Sequence, residues 1–129
     1  MKKLLNLALI ASICFASCSK KSNPTPAPAD VLEYDFTAKY SDSFVILYYN
    51  PKGSSGDYPT SNSWSTKVTI PSGTKSANIY ITAAQQPPYT NNNSGTVTIK
   101  LNGKVVATGS GAFTDSQALA QTTYAYTSN

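Results

Sequence analysis

From Val31 onward, hydrophobic residues recur at every second position, the period of a strand with one buried face. Tyr34, Phe36, Ala38 and Tyr40 alternate with Asp35, Thr37 and Lys39, which predicts a first strand with one wet face. Phe44-Val45-Ile46-Leu47-Tyr48-Tyr49 is apolar on both faces and predicts a central strand. Asn50 to Asp57, with Pro51, Gly53 and Gly56, has the chemistry of a turn. Trp64, Thr66, Val68 and Ile70 form the inner phase of a third strand, closed by Pro71-Ser72-Gly73; Ala77, Ile79, Ile81 and Ala83 form that of a fourth. A loop over Gln85–Asn93 follows, and then Val97, Ile99 and Leu101 share one face of a fifth strand. Asn102-Gly103 predicts a two-residue type I′ hairpin, because both residues tolerate positive φ. The return strand is expected over Lys104–Thr108, with Leu101 opposite Lys104, Ile99 opposite Val106 and Val97 opposite Thr108. Gly109-Ser110-Gly111 is expected to break it, and a final strand over Gln121–Thr127 carries Thr122, Tyr124 and Tyr126 on one face.

These seven short strands leave room for no helix beyond a single turn over Ser116–Gln121, which is too short to be stable alone. The fold class is therefore all-β: a seven-stranded antiparallel β-sandwich, immunoglobulin-like or transthyretin-like, over residues 31–129. That span is long enough for a modest core of its own.

Residues 1–30 follow another pattern. Lys2 and Lys3 precede a short apolar run from Leu4 to Phe15, interrupted by Asn6 and Ser12. The run is too short to span a bilayer, which takes roughly 20 apolar residues. It has the form of a secretory signal peptide over residues 1–17. Phe15-Ala16-Ser17-Cys18 resembles the bacterial lipobox, which implies cleavage between Ser17 and Cys18 and acylation of Cys18. Residues 18–30 would then be a tether, with Pro24, Pro26 and Pro28 favouring an extended spacer.

Composition changes the picture in three ways. Two cysteines are present, and Cys14 goes with the leader, so a mature chain keeps Cys18 alone and has no disulfide to form. The formal charge of +4 comes from Lys2, Lys3, Lys20 and Lys21; from Asp30 onward lysines and acids balance, which gives no basic face for nucleic acid. There is no histidine, so an imidazole base is excluded, and no cofactor or transition-metal ligand set stands out.

Candidate chemistry is sparse. Glu33 and Asp35 lie two apart on one strand face, as a glycosidase carboxylate pair or, more simply, as a solvated face. Asp42 and Asp57 are too few acids for a calcium loop. No catalytic residue is assigned, and the chain reads as a non-enzyme. Nine tyrosines and one tryptophan are the stronger signal. Tyr58, Trp64 and Tyr89 fall at or near strand ends, where aromatics stack on sugars or anchor protein partners. Trp64 is also in phase with Val68 and Ile70, as a core aromatic would be.

Trp64-Ser65, the run Ile99-x-Leu101-Asn102-Gly103-Lys104-Val105-Val106, the Gly-Ser-Gly-Ala segment after it and the Tyr-rich last strand together resemble the periplasmic domain of the mycobacterial small membrane protein family MmpS and similar lipoproteins of Bacteroidota-type bacteria. The likeness covers most of Tyr34–Tyr126. It implies a β-sandwich that accompanies a membrane transporter. The chain departs from that family in having a lipid anchor where the family has a membrane helix. The expected function is a non-enzymatic envelope lipoprotein, a binding or accessory module for another envelope protein such as a transporter. The alternative is a module for glycan or a hydrophobic small molecule that uses the loop aromatics. Lys20 and Lys21, with no acid before Asp30, lack the acidic signal that resembles the surface-export rule, so the expected place is the outer membrane, facing the periplasm.

Overall fold

The computed structural model describes residues 25–88, 92–113 and 119–128. Eight strands are present: β1 (Val31–Ala38), β2 (Phe44–Asn50), β3 (Gly53–Asp57), β4 (Ser63–Thr69), β5 (Ser76–Gln85), β6 (Asn93–Leu101), β7 (Lys104–Phe113) and β8 (Leu119–Thr127). They form two four-stranded antiparallel sheets, ordered β4-β1-β6-β7 and β3-β2-β5-β8. The all-β antiparallel sandwich expected from the alternation is the fold. Its order departs from the immunoglobulin one, because β1 pairs with β4 and β6 and not with β2.

The alternation sets which side chains meet. Leu32, Tyr34, Phe36, Val97 and Ile99 of the first sheet face Phe44, Ile46, Ile79, Ile81 and Ala83 of the second, all fully buried or nearly so. Phe36, Phe44 and Phe113 form an aromatic cluster between the sheets, with centroids 4.8 to 6.3 Å apart. Tyr34 is buried beside them; its hydroxyl donates to the Tyr49 carbonyl at 2.8 Å, and burial pushes its phenol pKa up.

Four expectations need correction. The segment read as one turn over Asn50–Asp57 contains an eighth strand, β3, whose Gly-Ser-Ser-Gly-Asp sequence carries no hydrophobic signal; it is held by backbone pairing to β2. The first strand ends at Ala38, and Tyr40 lies beyond it, exposed. Gly109-Ser110-Gly111 does not break β7, which runs on to Phe113. Leu101 does face Lys104, but a β-bulge then shifts the pairing, so Ile99 faces Ala107 and Val97 faces Gly109. Without that extra residue Thr108 would have pointed into the core; with it Val106 and Ala107 both pack on the core, and Thr108 stays outside. The first half of the helical turn expected over Ser116–Gln121 lies outside the described residues, and its second half, Leu119–Gln121, belongs to β8.

The hairpin turn has positive φ at both central residues, 51° at Asn102 and 82° at Gly103, as a type I′ turn requires. Asn102 also fastens the chain where it enters the domain. Its amide Nδ2 donates to Asp30 Oδ1 at 2.7 Å, and its Oδ1 accepts the Val31 N–H at 2.9 Å. Tyr126 of β8 donates to the other Asp30 oxygen at 2.7 Å. The Asn102 and Tyr126 hydrogen bonds hold the Asp30 carboxyl below its ordinary pKa. We expect Gly103→Val to cost more than about 1 kcal/mol, since a β-branched residue resists this φ. An unchanged melting midpoint would show that the turn tolerates it.

Candidate functional site

The two outer faces differ in chemistry. On the first sheet, outward positions of β1 pair with those of β4 and β6, so Glu33 stands between Lys67 and Lys100. Lys67 Nζ and Lys100 Nζ both lie 2.9 Å from Glu33, and Lys100 reaches Asp35 at 2.6 Å. Hydrogen bonds from Lys100, then Lys67, hold the Glu33 carboxyl below its ordinary range. Asp35, then Glu33, raise Lys100 to about 12. Glu33 and Asp35 do share a face, and one lysine bridges them.

On the second sheet, the odd positions of β2 face outward: Val45, Leu47 and Tyr49. Cross-strand pairing sets Ser54, Tyr49, Tyr80 and Thr123 in one row across all four strands, and Gly56, Leu47, Thr82 and Gln121 in the next. Tyr49 and Tyr80 are near-parallel, with centroids 5.7 Å apart and planes 8° apart. Leu47 is 46% exposed, Tyr49 36% and Tyr58 68%. A shallow depression is bounded by Leu47, Gly56, Tyr58 and Tyr80. Gly56 shapes it, because a Cβ there would lie 3.0 Å from Leu47 Cδ2. Among the described residues, no outward position of these four strands carries a charge.

β2 is flanked by β3 and β5, as a central strand should be, yet its outer face is open to solvent. Sequence reasoning therefore missed Leu47, Tyr49 and Tyr80. The signal was available in the wet phase of β5, where Tyr80 stands between Asn78 and Thr82.

Of the aromatics singled out from sequence, Tyr58 joins this face. Trp64 does not: it lies on β4 in the first sheet, half-buried, and its ring packs on Tyr48 at 5.4 Å. Tyr89, Ser17 and Cys18 lie outside the described residues. Asn102 and Gly103 form the hairpin turn, at the edge shared with Asp30. Asp42 accepts hydrogen bonds from the Ser43 N–H and from Gln85. Among the described residues no group of three His, Cys, Asp or Glu side chains converges as metal ligands would. No protein-family model matches the chain, and no curated protein matches it.

Proposed function

We propose that the protein is a non-enzymatic binding module of the bacterial cell envelope, held by a lipid on Cys18 and engaging its target through the outer face of the β3-β2-β5-β8 sheet. One observation carries the reading: three large apolar or aromatic side chains, Leu47, Tyr49 and Tyr58, stand exposed together on a face without charge. Tyrosine supplies rigid amphipathic contact area at low entropic cost, and small hydroxyl residues around it supply adaptable hydrogen bonds. The leader and tether suit display from a membrane, since two or three acyl chains anchor stably at about 0.8 kcal/mol per buried CH₂. The likeness to MmpS-type domains and to Bacteroidota-type lipoproteins supports an accessory role beside an envelope protein such as a transporter, on the periplasmic side of the outer membrane.

Two measurements test this. Cys18→Ala is expected to leave an uncleaved precursor that incorporates no labelled palmitate; a variant processed and released like the wild type would refute the anchor. A photocrosslinking amino acid at Leu47, in living cells, is expected to yield a covalent adduct with an envelope component. The same probe at Ser65, on the charged face, is expected to yield none. Absence of an adduct from Leu47 would refute the binding face.

A further inference from the structure

We infer that the target of this face is a neutral glycan, laid across the four strands so that its sugar rings stack on Tyr49 and Tyr80. The inference rests on the binding-module reading and names its ligand class.

Charge narrows the choice first. The outer face of the other sheet carries Glu33, Asp35, Lys67 and Lys100, whereas this one offers no ion to an anionic or cationic partner. An acidic lipid, a nucleic acid or a basic peptide would lose its hydration here without gaining a counter-charge. What the face does offer is a pair of near-parallel rings, 5.7 Å apart, flanked in the same row by Ser54 and Thr123 and in the next row by Thr82 and Gln121. A neutral sugar has the matching composition: apolar C–H surfaces for a ring, and hydroxyls for side-chain hydroxyls and amides. Four paired strands span about 14 Å from first to last, which suits a short length of chain.

Among the described residues, the phenol hydroxyls of Tyr34 and Tyr126 are committed to hydrogen bonds within the domain, whereas those of Tyr49 and Tyr80 are not. Neither Tyr49 nor Tyr80 belongs to the hydrophobic core.

The test is native affinity electrophoresis of the full-length lipidated protein in a sugar-free detergent. The gels would contain mixed-linkage β-glucan, dextran or galactomannan as neutral probes, and polygalacturonate as the anionic one. At least one neutral polymer is expected to retard the wild type, and polygalacturonate is not. The double variant Tyr49→Ala/Tyr80→Ala is expected to bind about tenfold more weakly or worse, while Tyr80→Phe, which keeps the ring, stays within about threefold. Leu47→Lys, an exposed change that spares the core, is expected to weaken binding as well, with an unaltered melting midpoint. The glycan assignment is overturned if no neutral polymer retards the wild type, or if Tyr49→Ala/Tyr80→Ala and Leu47→Lys bind as the wild type does. It is also overturned if the protein sediments as a dimer that these variants dissociate, which would make a second copy the occupant. A Leu47 adduct with a protein, in the absence of any glycan binding, would overturn the glycan alone and leave the binding module standing. Loss of both would remove both.

Discussion

Gly109→Ala is expected to lower stability by about 3 kcal/mol or more, at the top of the range for overpacked sites. A Cβ built at Gly109 would lie 1.8 Å from the Gln121 carbonyl oxygen and 3.2 Å from Thr122 Cβ. Backbone, unlike the end of a long side chain, cannot step aside without disturbing its own ladder. Here β8 of one sheet passes against β7 of the other, and the missing side chain lets them come that close. In a domain of this size such a loss lowers the melting midpoint by roughly 15 °C or more. The next residue gives the control: Ser110 is exposed, its hydroxyl pairs with that of Thr96 among the described residues, and Ser110→Ala is expected to cost about 0.5 kcal/mol or less. Equal melting midpoints for the two variants would show that the sheets are further apart at this edge.

Gly109 also shows where the one-dimensional signal ends. A glycine inside an alternating run marks either a break or a close approach of two backbones. Only the position of β8, which belongs to the other sheet, decides between them. What was legible was local or strictly periodic: the Asn102-Gly103 turn, whose φ values need those residue types, and the inward phases of β1, β4, β5 and β6. The register of β7 was not, because a bulge answers to which side chains the opposite sheet can accept, and Val106 gives no sign of it. β3 was not either, because an edge strand held by backbone bonds alone needs no hydrophobic pattern. The candidate face was hidden for the opposite reason. A run apolar on both sides predicts a central strand without telling which of its faces is left to solvent, so nothing in it sets Leu47 and Tyr49 apart from Phe44 and Ile46.

That ambiguity yields the second large effect, a contrast within a single strand. Phe44 and Leu47 both lie on β2, on opposite faces. Phe44 is fully buried, with its ring centroid 4.8 Å from Phe36 and 5.7 Å from Phe113. Phe44→Ala is expected to cost about 3–5 kcal/mol, the loss of a buried aromatic plus the cavity left behind. That is a large share of the roughly 5–15 kcal/mol that stabilises a domain. Leu47→Ala should cost about 0.5 kcal/mol or less, because the side chain is 46% exposed and stands on the outer face over Gly56. Urea unfolding of the two variants measures the difference as a shift in midpoint at constant slope. Comparable losses would place Leu47 in a packing role and remove it from the binding face. The expected inequality has the other consequence. An apolar side chain that contributes almost nothing to folding, kept in solvent beside Tyr49 and Tyr80, has its energetic use in what it meets outside the domain.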